Sequence, residues 1–219
     1  MSKSLFIIGA GPGIGQATAE RFGREGWTIV MASRNPRNLD PLVAELVGKG
    51  ITAHGIVLDA TDAQAMRSAV RNADRITGGL TGVFYNAAFV RQQDLFTMTD
   101  ADVLNDLAVN VAGGLHAIRA GTELFDKRGG TILITGGGLA LAPHHSYASL
   151  GMGKAALRNV VQAIAPQLAE RNVRIAMMTV ATLITPHSAE ADGVADGFWS
   201  LANGAADVWE AVYPAALAE

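Results

Sequence analysis

Short apolar runs alternate with longer helical patterns along the whole of this 219-residue chain, and that alternation limits the fold more than any other feature. Residues 5–8, 28–32, 51–58, 83–86, 131–135 and 173–180 read as buried strands. Between them lie helical patterns over 13–26, from Pro36 through Leu46, around Met66–Val70, over about 102–125 and over about 146–171. Asn35 before Pro36 marks one helix start, Thr61 or Asp62 another, and Thr99 with Asp102 is spaced as a capping box. Beyond residue 180 the pattern weakens: a looser segment over 185–203 should lead to a short strand near 208–213. Repeated βα units without a linker or internal repeat imply an α/β fold. We expect a single doubly wound, Rossmann-like parallel sheet with helices on both faces, with residues 1–219 as one domain. Ligands of such sheets sit beyond the carboxyl ends of the strands, so the informative loops follow Ile8, Ala32, Leu58, Asn86, Thr135 and Val180.

Composition narrows the function classes. A net charge of −3 with no basic block argues against a nucleic-acid partner. The chain has no cysteine, which excludes disulfides and thiolate chemistry and suits a reducing compartment. The first apolar run is too short for a signal-peptide core or a membrane span, so a cytoplasmic protein without membrane partners is expected. No metal-ligand spacing and no G-x-S-x-G elbow occurs.

The loop after the first strand reads Gly9-Ala10-Gly11-Pro12-Gly13-Ile14-Gly15. Bare backbone opening a helix lets amide groups and the helix dipole meet a pyrophosphate, although an ordinary tight turn uses the same residues. The spacing is not G-x-G-x-x-G, because Ile14 holds the last glycine position; it is G-x-x-x-G-x-G through Gly9, Gly13 and Gly15. At the end of the second strand, where NAD enzymes place an acid, stand Ser33 and Arg34. A carboxylate would repel a 2′-phosphate, whereas a hydroxyl and a guanidinium bind one. NADP (NADPH) is therefore the expected cofactor, ahead of NAD.

With these motifs the chain resembles the short-chain dehydrogenase/reductases over nearly its whole length. The resemblance implies that Asp59 and Ala60 meet adenine, and that Asn86 and Ala87, in a degenerate Asn-Asn-Ala-Gly, flank the cofactor. It implies that Asn110 holds a relay water, that Thr185 meets the nicotinamide end, and that Lys154 binds the nicotinamide ribose. The family's active site also needs a Ser and a Tyr-x-x-x-Lys. Here Gly137 stands at the Ser position and Leu150 at the Tyr position, so both hydroxyls are missing. Tyr147 and His144, with His145 beside it, are the nearby candidates for a substitute proton donor, and Thr135 is expected to lie away from the site. Two readings follow for this small-molecule site. One is an NADP(H)-dependent reductase of a small carbonyl or enone with an atypical proton donor. The other is a dinucleotide-binding protein that has lost turnover and acts as a sensor or partner subunit. A methyltransferase-like alternative is opposed by Ser33-Arg34, Asn86, Asn110 and Lys154 together. The long helices over 102–125 and 146–171 are the family's oligomer interfaces, which implies a homodimer or homotetramer.

Overall fold

The computed structural model describes residues 3–126, 128–205 and 207–215. Seven strands, β1 (Ser4–Ile8), β2 (Thr28–Ser33), β3 (Ala53–Val57), β4 (Gly82–Tyr85), β5 (Gly130–Gly137), β6 (Val173–Val180) and β7 (Glu210–Tyr213), form one sheet in the order β3-β2-β1-β4-β5-β6-β7. Every neighbouring pair is parallel. The helices are α1 (Ile14–Arg24), α2 (Pro36–Gly48), α3 (Ala63–Thr77), α4 (Asp100–Leu107), α5 (Gly114–Phe125), α6 (Ala148–Glu170) and α7 (Ala189–Asn203).

Strand alternation sorts the apolar side chains into two cores. Phe6, Ile8, Val83, Tyr85, Ile132 and Ile134 face α3, α5 and α6 through Val70, Ala117, Leu157 and Val161. Leu5, Ile7, Met31, Phe84 and Leu133 face α1, α2 and α7 through Phe22, Leu39 and Phe198. A sheet covered on both faces leaves only the strand ends free for a ligand.

Local signals place most helix starts. Asn35 caps α2, accepting from the Arg37 N–H, and Asp62 rather than Thr61 caps α3. Thr99 and Asp102 form the reciprocal capping box of α4. Two expectations need correction. The looser segment over 185–203 is instead largely the helix α7, capped by Ser188 and burying Ala191, Val194, Ala195, Phe198 and Leu201. Gly193 and Gly197 lower its intrinsic propensity, and packing on the sheet outweighs them. The helix expected over 102–125 is broken by a π-helical turn at Ala108–Gly113.

Tyr85 packs into that break. Its hydroxyl, buried at the end of β4, donates to the Val109 carbonyl at 2.6 Å, inside the π turn. Gly113 faces the same hydroxyl, and a Cβ there would collide with it. Gly113→Ala is therefore expected to cost about 1–3 kcal/mol through overpacking. The cost should shrink when Tyr85→Phe removes the oxygen, and urea denaturation of the two single variants and the double variant measures this coupling.

Candidate functional site

Strand order reverses between β1 and β4, and a cavity of about 490 Å³ opens at their carboxyl ends. It runs from the ends of β2 and β3 to those of β5 and β6, with the glycine loop in the middle.

The loop is fixed by backbone bonds to its neighbours. The Gly9 and Ala10 N–H groups donate to the Ala32 carbonyl at 3.0 and 2.8 Å, and the Asn86 and Ala87 N–H groups to the Ile8 carbonyl at 2.8 and 3.0 Å. Gly9 adopts φ +94° against the Ala87 backbone, where a Cβ would clash. No side chain caps α1, although α2, α3, α4 and α7 each carry a side-chain cap. Its first N–H donors and the positive end of its dipole therefore meet the cavity wall at Gly13 and Ile14. Gly11 also lines the cavity, and a Cβ on it would meet no protein atom within 4 Å. An uncapped helix start beside open space fits a pyrophosphate.

At one end of the cavity stand Ser33, Arg34, Asp59 and Ala60. Arg34 is exposed and makes no hydrogen bond or ion pair among the described residues. The Thr61 N–H and hydroxyl both donate to Asp59 Oδ1, at 2.9 and 2.8 Å. Those two bonds, helped by the Arg34 charge, hold the Asp59 carboxyl below the usual carboxylate range.

At the other end a relay of side chains links the glycine loop to α6. Asn86 Nδ2 donates to the Gly9 carbonyl at 2.9 Å, and Asn86 Oδ1 accepts from the Thr135 hydroxyl at 2.8 Å. The Thr135 carbonyl accepts from Lys154 Nζ at 2.9 Å. Lys154 is only 9% exposed, and burial pushes its ammonium down to about 8. Leu150, one turn earlier on α6, lines the same end with Val109, Val180 and Ile184.

The cavity brings together Gly9, Gly11, Gly13, Ile14, Ser33, Arg34, Asp59, Ala60, Asn86, Ala87 and Lys154. Five other candidates lie outside its lining. Gly15 sits in α1 against the Gly9 carbonyl, where a Cβ would come within 3.2 Å. Asn110 is buried, and its amide is spent on one residue: Oδ1 accepts from the Phe89 N–H at 2.8 Å and Nδ2 donates to the Phe89 carbonyl at 2.9 Å. Thr185 is exposed, while Thr182 and Ile184 reach the cavity. His144 stacks on His145 in a separate depression of about 380 Å³, and Tyr147 immediately precedes α6 beside His144. Thr135, expected to lie away, belongs to the site. Residues two apart on a strand share a face, so alternation groups Thr135 with Gly137.

The loop after β4 is strapped as firmly. Besides Asn110, Arg91 grips the fully buried Asp106 carboxylate through Nε at 3.0 Å, and the Ser149 hydroxyl donates to that carboxylate at 2.7 Å. The Gln93 N–H donates to the Ser146 carbonyl at 2.8 Å. Ala88 and Val90 are thereby held at the cavity wall.

A covered parallel sheet with an uncapped glycine loop at its switch point defines a dinucleotide-binding protein of the Rossmann class. Comparison with known proteins gives the family. Residues 3–193 match the family described as short chain dehydrogenase. The chain is 28% identical over 207 residues to 2,3-dihydro-2,3-dihydroxybenzoate dehydrogenase of Bacillus subtilis, covering 94% of this chain and 77% of the relative. It is 32% identical over 168 residues to short-chain dehydrogenase/reductase SDRA of Arabidopsis thaliana, covering 76% of this chain and 66% of that one. It spans 63% of the human dehydrogenase/reductase SDR family member 4, at 28% identity. A short chain dehydrogenase from Mycobacterium smegmatis superposes with TM-score 0.87 at 25% identity, covering 96% of this chain and 90% of that one. The chain belongs to the short chain dehydrogenase family, whose members are oxidoreductases that bind a nicotinamide dinucleotide and act on small molecules. No described helix is long and apolar enough to cross a membrane.

Asn110→Ala is expected to release the Phe89 backbone pair. The Phe89 amide should then exchange with deuterium at least about tenfold faster, because opening the strap costs one or two hydrogen bonds less. Unchanged exchange at that amide would show that the Arg91–Asp106 bridge alone holds the loop.

Proposed function

We propose that this protein is an NADP(H)-dependent oxidoreductase that transfers hydride to a small carbonyl or enone with an atypical proton donor, and that residues 1–219 act as one domain. The observation that carries the cofactor preference is the unpartnered Arg34 beside Ser33 on the cavity wall, with no carboxylate at the β2 end. A guanidinium fork and a hydroxyl suit the three oxygens of a 2′-phosphate, and a free Arg loses no existing ion pair in binding them. Asp59 and Ala60 would frame the adenine, the α1 N-terminus with Gly9, Gly11 and Gly13 the pyrophosphate, and Asn86, Ala87 and Lys154 the nicotinamide ribose. Asn110 serves as a positioning residue through Phe89, and Thr185 would contribute only by moving inward with its loop. The bound dinucleotide supplies the hydride. The chain supplies orientation, an apolar wall that excludes water, and a proton.

In this reading Gly137 and Leu150 occupy the places of the family's Ser and Tyr, so the proton comes from another group. His144 and Tyr147, the donors suggested by sequence, lie side by side with tilted rings outside the cavity lining. The same two losses favour the second reading, a dinucleotide-binding sensor or partner subunit without turnover. We also propose a cytoplasmic homodimer or homotetramer through α4–α5 and α6. The exposed Leu104 and Met152 on those helices support it, and a monomer by light scattering at micromolar concentration would refute it.

Fluorescence titration with NADPH and NADH, followed by a carbonyl and enone panel, separates the readings. NADPH should bind more tightly than NADH. Arg34→Ala should weaken NADPH binding about tenfold or more, the worth of a charge-assisted hydrogen bond, and leave NADH nearly unchanged. Tight binding with no oxidation by any panel member would establish the binding-protein reading, and absence of NADPH binding would sink both. Restoring Gly137→Ser with Leu150→Tyr should raise turnover if the lost hydroxyls limit it. The new Ser Cβ would sit 3.1 Å from Lys154 Cγ, so that side chain must yield slightly.

A further inference from the structure

Three ionisable side chains line the cavity: Arg34, Asp59 and Lys154. The first two follow β2 and β3. Lys154 is held by β5, three strand spacings from β2 and so roughly 15 Å away. Around Lys154 the lining is Leu150, Val109, Val180 and the bare backbone of Gly136. The Thr135 hydroxyl is already committed as a donor to Asn86. Among the described residues, Lys154 Nζ is thus the one ionisable group at the end of the cavity where a substrate would meet the nicotinamide.

We propose that Lys154 is itself the proton donor of this site, passing a proton from Nζ to the substrate oxygen. This rests on the reductase reading above. The carbonyl carbon gains hydride, the C–O π pair moves onto oxygen, and oxygen takes the Nζ proton. The neutral amine left behind recovers a proton from water. The ammonium's one acceptor is the neutral Thr135 carbonyl, which orients Nζ without pinning it by charge.

The charged and titratable groups on the elements around α6 are otherwise engaged. Tyr85 donates to the Val109 carbonyl, and burial pushes its phenol up. Asp106 is taken by Arg91 and Ser149, and Glu210 by Arg158 and the Thr179 hydroxyl. His116 Nδ1 lies 3.3 Å from the Ala60 carbonyl, toward the far end. No carboxylate compensates Lys154, and desolvation alone lowers its affinity for the proton to about 8. An acid poised there is charged at neutral pH yet gives up its proton readily, the condition for general acid catalysis.

The test uses the full chain labelled with ¹³Cε-lysine, whose lysines are Lys3, Lys49, Lys127 and Lys154. The Lys154 signal is assigned by its loss in Lys154→Met. It should titrate near 8 and shift when NADPH is added. With any panel substrate that the unaltered chain reduces, kcat should be level below that titration and fall tenfold per pH unit above it, as the acid form is lost. Lys154→Met should lower kcat at saturating NADPH about a hundredfold or more, a loss separate from any weakening of NADPH binding that follows from removing its ribose contact. Lys154→Arg should keep NADPH binding without restoring kcat, because a guanidinium does not release its proton in this range. Three results would each overturn the proposal: titration above 10, recovery of kcat by Lys154→Arg, or loss in Lys154→Met confined to NADPH affinity. If the unaltered chain binds NADPH but reduces nothing, the reductase reading fails and the proton role falls with it. Turnover by the unaltered chain that Lys154→Met leaves intact removes the proton role alone.

Discussion

The site depends on one relay of hydrogen bonds that crosses the sheet. It runs from the Gly9 carbonyl to the Asn86 amide, from that amide to the Thr135 hydroxyl, and from the Thr135 carbonyl to Lys154 Nζ. Gly9, Asn86 and Thr135 sit at or near strand ends, so their positions are inherited from parallel pairing of β1 with β4 and of β4 with β5, and Lys154 reaches them from α6. A shift of any one strand would break the relay. The relay in turn ties the cofactor loop to the helix that carries the buried cation, so the two ends of the cavity are set by one network. Because every link is satisfied, the low dielectric that would penalise an unpaired amide instead strengthens the bonds.

The loop after β4 shows the same economy from the other side. Asn110 spends both amide groups on Phe89, and Arg91 neutralises an Asp106 that has no solvent exposure. A buried carboxylate is tolerable only when paired and hydrogen-bonded, and Ser149 supplies the second partner. The π turn that carries Asn110 is bound by the Tyr85 hydroxyl at the Val109 carbonyl. The wall near Val90 is therefore fixed from three elements without contributing a charged group of its own to the cavity.

How much of this could be read from the chain follows from where the physics is local. The strands announce themselves as apolar runs because both faces are covered, and Asn35, Asp62 and Thr99 announce helices because capping acts within three residues. The glycine loop and the Ser33-Arg34 pair could be placed on a cavity wall because they follow the first and second strands of a doubly wound sheet. Helix α7 was not, since Gly193 and Gly197 mask an apolar stripe that only the sheet rewards. The π turn was invisible because it depends on a contact 24 residues distant in sequence, from Tyr85 to Val109. Thr135 was legible in principle from two-residue alternation. Asn110 stood out in the sequence as a relay candidate, whereas its commitment to Phe89 could be seen only in the folded loop.

In the reading proposed here, the burial of Lys154 goes together with the absence of hydroxyls at positions 137 and 150. A Cβ at Gly137 would approach Lys154 Cγ, Cδ and Cε to 3.1–3.4 Å, so the lysine stem lies against the space a larger residue would claim. Leu150, 7% exposed, adds hydrocarbon on the same helix face. In the reading proposed here, serine and tyrosine hydroxyls at those two positions would hydrogen-bond the ammonium's surroundings and admit water. Glycine and leucine do neither, and burial leaves the Lys154 ammonium holding its proton less tightly. In that reading, burial shifts the acidity of Lys154 in the direction a replacement donor needs.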